Sequence, residues 1–221
     1  MSSLFHNEDE TKAFMHLLQK KEGTSGYYYI QIATRKKYGS PRDDILFRKL
    51  VKLDQLIDEL HQATPLRGFY RHGQKIDPGT IVCYMTPEPR DVERATKQVC
   101  ASYILKQPDE EFRIASRFLS ECQKCAAERT ILDIDIDDRE AYPVVMDALR
   151  EMSLVPAISI ETRGGYHLLC TEQTNKQSAA LHTLCKAKFN GKVELLSNAL
   201  VPIPGTIQGG FPVRILTITE S

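Results

Sequence analysis

Ile131-Leu132-Asp133-Ile134-Asp135-Ile136 is the stretch that decides how this chain is read. Its alternation has the two-residue period of a β-strand: Leu132, Ile134 and Ile136 face one side, Asp133 and Asp135 the other. Two positions apart on a strand, the Cα atoms of the two carboxylates are roughly 6.6 Å apart and the side chains point the same way. Like charges that close repel unless something offsets them, and a divalent cation is the usual agent. Removing both carboxylates should then relieve the repulsion and leave the fold intact. An Asp-x-Asp suits the wet face of a half-buried edge strand equally well, so the decision lies downstream.

Downstream comes Thr162-Arg163-Gly164-Gly165-Tyr166-His167-Leu168. A Gly164-Gly165 turn joins two strands tightly and leaves backbone amides open to an anion. Arg163 stands just before it and His167 on the strand just after. Fixed amides, a bidentate cation and an imidazole together suit a triphosphate, although a Gly-Gly hairpin can be a plain turn and a strand His a structural residue. A third segment, Lys192-Val193-Glu194-Leu195-Leu196, turns Val193 and Leu195 to the core and Glu194 to the polar face, with Lys192 at hand as a surface partner for Glu194. If these strands adjoin, Asp133, Asp135, Glu194 and His167 converge on one face. Two-metal phosphoryl transfer requires such a set.

The rest of the chain reads as α+β: a mixed or antiparallel sheet with flanking helices. Asn7 and Glu10 have capping-box spacing for a helix to about Lys20, broken at Gly23-Thr24-Ser25-Gly26. Strands are expected over Tyr27–Ile32, Ile45–Val51 and Ile81–Met85, with helices over Leu53–Gln62, Asp91–Lys106, Asp109–Ala127, Arg139–Met152 and Asn175–Phe189. Later strands are expected at Ala157–Glu161, Tyr166–Cys170, Val193–Leu196, Leu200–Ile203 and Phe211–Leu216, with Gln208-Gly209-Gly210 as a hairpin turn. Residues 1–127 form an N-terminal α/β part and residues 128–221 the strands that carry the chemistry, in one integrated domain or in two lobes meeting near Ala127–Thr130.

The charged fraction of 26% and the hydrophobic fraction of 42% are those of a soluble globular chain, and no run of about 18 apolar residues offers a membrane span. The acidic, polar start does not suit a signal peptide, and six scattered cysteines read as reduced thiols. An intracellular protein, cytoplasmic or nuclear and not secreted, is expected. The net charge of zero hides an asymmetry. Lys20 to Lys75 holds 12 Lys/Arg against 6 Asp/Glu, whereas Asp109 to Glu161 holds 6 against 13. That balance suits one surface for polyanions and another for cations, and equally mere solvation. The basic loop Arg35-Lys36-Lys37 is the candidate nucleic-acid contact.

The ordered set (hydrophobic-Asp-hydrophobic-Asp, then Thr-x-Gly-Gly-x-His, then hydrophobic-acid) resembles the archaeo-eukaryotic primase superfamily. More closely, Thr162–Leu168 and Pro204-Gly205-Thr206 resemble its primase-polymerase branch, as does the strand exit Tyr84-Met85-Thr86-Pro87-Glu88-Pro89-Arg90. The resemblance covers about Ile81 to Leu216. It implies a nucleotidyltransferase that adds nucleotides from an NTP or dNTP to a DNA or RNA 3′ end. Asp133, Asp135 and Glu194 would bind two Mg²⁺ or Mn²⁺ ions, and Arg163, Gly164, Gly165, His167 and Thr206 the nucleotide. It also implies a primer or template partner and a helicase or another replication or repair protein acting in trans. The chain departs from the pattern in carrying Glu194 where many members have Asp, and Gln208 where a basic residue is expected.

Three other signals compete. Cys122-x-x-Cys125 invites zinc but lacks a second ligand pair. A haloacid-dehalogenase-type phosphatase needs a small residue and Thr after its second Asp, and Ile136-Asp137 does not supply them. Tyr27-Tyr28-Tyr29 beside the basic loop could stack a single strand, although at least one ring must face the core. A non-catalytic nucleotide- or nucleic-acid-binding module and a metal-dependent phosphodiesterase remain the alternative functions.

Overall fold

Antiparallel pairing of apolar strands builds two main sheets and two two-stranded ribbons among the described residues. The computed structural model describes residues 4–22, 26–64, 69–71, 73–106, 114–128, 131–171, 174–189, 191–196 and 199–219. The expected break at 23–25, the helical start at 109–113 and the lobe junction at 129–130 lie outside the described residues.

In chain order the first part comprises α1 (Glu8–Glu22), β1 (Tyr28–Thr34), β2 (Asp44–Val51), α2 (Leu56–Ala63), β3 (Tyr70–Arg71), β4 (Gln74–Lys75), β5 (Ile81–Met85), α3 (Val92–Lys106) and α4 (Ile114–Lys124). There follow β6 (Leu132–Ile136), α5 (Ala141–Glu151), β7 (Ile158–Glu161), β8 (Tyr166–Cys170), α6 (Asn175–Lys188), β9 (Val193–Leu196), β10 (Val201–Pro202), β11 (Ile207–Gln208), β12 (Phe211–Pro212) and β13 (Arg214–Ile218). The protein is a mixed α+β structure. One sheet has the strand order β10-β5-β1-β2, the other β13-β7-β8-β6-β9, and every strand pairing in both is antiparallel. Among the described residues no helix is long and apolar enough to cross a membrane.

Alternation along β6 sends its two faces into different surroundings. Ile134 and Ile136 pack with Leu168, Cys170 and Val193 against Val145 and Leu149 of α5 and Leu181 and Cys185 of α6. The opposite face of this sheet carries Ile158, Ile160 and Leu169, which share a core with Tyr28, Ile30 and Ile32 of β1 and Cys83 and Met85 of β5. Burial of each such aliphatic side chain contributes about 1.5–3 kcal/mol. Asp133 and Asp135 therefore lie on the side of their sheet that shares a core with the first sheet. α6 starts with a capping box: Thr174 Oγ1 accepts from the Gln177 amide, and Gln177 Oε1 from the Thr174 amide.

Several expectations change. The Asn7–Glu10 box forms only in part, because the Asn7 amide goes to the Gly205 carbonyl while Asn7 Oδ1 accepts from the Asp9 amide. A 3₁₀ turn at Leu53–Gln55 precedes α2, so the expected helix is shorter. The strand expected at Leu200–Ile203 is reduced to β10, which pairs with β5 and so extends the first sheet from the C-terminal part of the chain. The strand expected over Phe211–Leu216 divides at Val213. Its amide donates to Thr206 O and its carbonyl accepts from Gly205, so the chain turns there from the β11–β12 ribbon into β13. That ribbon turns at Gly209 and Gly210, both at positive φ, as a two-residue hairpin demands. Of the three tyrosines, Tyr28 and Tyr29 are buried and only Tyr27 is exposed, beneath Lys52, so no three-ring platform exists.

Candidate functional site

Strands β8, β6 and β9 adjoin, and their register puts His167, Asp135 and Glu194 in one row across the sheet. Antiparallel partners share a face, so the pleat that buries Ile134 and Ile136 behind aims all three side chains forward. Asp133, two residues back along β6, is 1% exposed and His167 7%.

These groups interact closely. His167 Nδ1 lies 3.1 Å from both carboxylate oxygens of Asp133, and Nε2 lies 3.6 Å from Asp135 Oδ1. Burial works against a charge on this imidazole, but the Asp133 carboxylate and hydrogen bond, and then Asp135, outweigh it and raise the pKa to about 9. His167 is thus an imidazolium at neutral pH, seated between two carboxylates. Burial pushes Asp135 up from the ordinary carboxylate range. The His167 charge opposes this, and Asp133 and Asp137 push it further.

Glu194 reaches the row but not the cluster. It is exposed and, among the described residues, forms no ion pair. The partner expected for it, Lys192, pairs instead with Asp138 at 2.8 Å. Asp133 and Asp135 supply hard oxygen donors of the kind Mg²⁺ or Mn²⁺ takes. Among the described residues no three His, Cys, Asp or Glu side chains stand close enough to hold an ion. The donors are right in kind, and Glu194, the third carboxylate expected to join them, stands outside.

The turn between β7 and β8 is held from several sides. Thr162 Oγ1 accepts from the Gly165 amide, and the Gly165 carbonyl accepts from the Thr162 amide. Arg139 donates to Glu161 Oε1 at 2.6 Å and to the Thr162 carbonyl at 2.8 Å. Gly165 is obligatory, because a Cβ there would lie 1.7 Å from the Ile136 carbonyl oxygen. Arg163 does not project freely: its amide donates to Gln208 Oε1, its guanidinium to Gly209 O, and it lies 4.8 Å over the Tyr38 ring. Thr206 is fully buried, its hydroxyl donating to Ile203 O. It shapes the turn before Gln208 and is not brought to the cluster.

Residues that the sequence does not bring to the acidic row also approach it. Tyr84 of β5 is coupled electrically to Asp135, and burial raises its pKa while Arg35 and Gln208 pull it down. Lys37 lies 3.7 Å from Asp137, beside Gly164. Tyr38 directly follows the basic loop Arg35-Lys36-Lys37 with no motif of its own, and Gln208 stands where the resemblance expects a basic residue. The Cys122 and Cys125 thiols are buried beside Ala95, and Cys125 Sγ lies 3.2 Å from Gln98 Oε1. Comparison with known proteins returns no matching family model, no matching curated protein and no matching solved structure.

Proposed function

We propose that the chain is a metal-dependent nucleotidyltransferase of the primase-polymerase type, extending a DNA or RNA 3′ end from an NTP or dNTP. The observation that carries this reading is the acid pair of buried Asp133 and half-buried Asp135, with His167 between them and Glu194 in the same row. Asp133 and Asp135, joined by an inward-turned Glu194, would hold two Mg²⁺ or Mn²⁺ ions. When bound, such ions neutralise charge on the attacking and leaving oxygens. In the reaction the 3′-oxygen bonds to the α-phosphorus, the bond to pyrophosphate breaks, and the hydroxyl proton passes to water. His167 has protons to offer a phosphate oxygen once its carboxylate contacts are shared with other cations.

The test is to incubate the protein with Mn²⁺, a labelled primer and NTPs or dNTPs. Extension supports the reading, and shortening of the primer would point to a phosphodiesterase. A second reading, a nucleotide-binding module without turnover, is favoured by Glu194 standing exposed while His167 already compensates Asp133. Nucleotide binding with no change in primer length would establish it.

A further inference from the structure

The loop between β1 and β2 does not lie apart from the acidic row. The Lys37 ammonium is 3.7 Å from Asp137 Oδ1, and it stands beside the Gly164 turn that leads into His167. Its charge reaches both His167 and Asp135. Tyr38 follows, 9% exposed, and its hydroxyl has no hydrogen-bond partner although Arg163, Arg35, Tyr84 and Asp137 surround it closely enough to influence it. Arg35 Nε is likewise buried without a hydrogen bond, with Asp43 3.6 Å away and the Tyr84 ring 5.8 Å from its guanidinium.

Buried donors in folded proteins are normally satisfied, and two orphans in one place are costly unless a ligand completes them. The missing ligand must be an acceptor, because Arg35 Nε–H can only donate and the Tyr38 hydroxyl has a proton to give; Lys37, Arg35 and Arg163 supply three positive charges there against the carboxylates of Asp43 and Asp137. It must also be compact, because the Tyr38 hydroxyl is buried and the flank of a continuous polynucleotide cannot enter beside it. Phosphate groups of a single nucleotide meet both conditions, since each offers several acceptor oxygens at one point. Lys36 differs: its side chain is exposed, and its hydrogen bonds are made by its backbone, the amide donating to Asp43 Oδ1 at 2.6 Å and the carbonyl accepting from the Gly39 amide.

We propose that Lys37, Arg35 and the Tyr38 hydroxyl are phosphate ligands of the incoming nucleotide, so that the first sheet completes the nucleotide site of the second. The inference rests on the nucleotidyltransferase reading and assigns to its nucleotide a loop that the sequence assigns to the polynucleotide. On nucleotide binding, Lys37 exchanges its exposed contact with Asp137 for a phosphate oxygen.

The test is titration calorimetry with an α,β-methylene NTP analogue and Mn²⁺, beside fluorescence anisotropy with a labelled oligo-dT. Lys37→Ala should bind the analogue roughly tenfold more weakly and the oligonucleotide like the parent protein. Tyr38→Phe should melt no lower than the parent, because the hydroxyl it removes has no partner, yet bind the analogue a few-fold more weakly. Unchanged analogue affinity in Lys37→Ala, or a loss confined to the oligonucleotide, overturns the inference and leaves the proposed function standing. Unchanged affinity in Tyr38→Phe removes the hydroxyl from the set. A parent protein that binds no analogue at all overturns both.

Discussion

His167 Nδ1 stands equidistant, at 3.1 Å, from the two carboxylate oxygens of Asp133, with both side chains buried. The contact makes stability depend on pH in a defined direction. A folded pKa raised from 6.5 to about 9 means that the folded state binds the proton more tightly than the unfolded chain. The stabilisation is complete below pH 6.5 and is lost as pH rises through about 9. Thermal melts across that window should show the decline in the parent protein and a smaller one in His167→Gln.

Asp133→Ala should destabilise the protein by about 3–5 kcal/mol, because it leaves a buried imidazolium without its partner. The sequence alone argues the reverse, relief of repulsion, since it shows two anions and not the cation between them. Asp133→Asn keeps an acceptor for Nδ1–H and should cost less. Urea unfolding of the two variants checks the order.

Mn²⁺ should raise the melting temperature of the parent protein, because an ion held only by the folded state stabilises it by mass action. Asp135→Asn should abolish that increment, and chelation with EDTA should reverse it. An equal Mn²⁺ shift in Asp135→Asn would place the ion elsewhere.

Glu194→Gln tests the third ligand. The side chain is exposed and forms no ion pair among the described residues, so stability should change by less than about 0.5 kcal/mol. Primer extension should nevertheless fall by orders of magnitude if Glu194 turns inward on metal binding. Extension at the parent rate would remove it from the site.

The two turn glycines should behave differently. Gly165→Ala drives a methyl into the Ile136 carbonyl and should leave little folded protein, whereas a Cβ at Gly164 meets nothing nearer than Asp137 Oδ1 at 3.4 Å. Gly164→Ala should fold, and it should weaken nucleotide binding because its methyl points toward Lys37. Circular dichroism and calorimetry separate the two effects.

The part of this site that follows from local alternation was legible. Period two in Ile131–Ile136 and Lys192–Leu196, with glycines before His167, placed four side chains on one face of neighbouring strands. What the sequence concealed depends on packing between segments far apart in the chain. Lys192 lies two residues from Glu194 yet reaches Asp138 across the sheet, and the charge of Asp135 is felt by Tyr84 of the other sheet. Thr206 sits in a motif-like stretch, but its burial commits it to the turn. Val201 and Pro202 have ordinary strand character that says nothing of which sheet they join.

The segment around Gly205 also bears on how the chain becomes a structure during synthesis. Thr11 Oγ1 donates to Pro204 O, the amides of His6 and Asn7 both donate to Gly205 O, and Glu10 accepts from the Ile215 amide. The earliest described helix is thus fastened to residues 193 and 205 positions further along the chain, and β5 waits for β10 before its outer edge is paired. A nascent chain leaving the ribosome would hold the first sheet with one edge bare until residue 202 emerges. Such long-range closure slows folding and exposes an unpaired strand to other chains meanwhile. Loss of β10 to β13 should therefore loosen α1 and the edge of β5 as much as the strands' own surroundings.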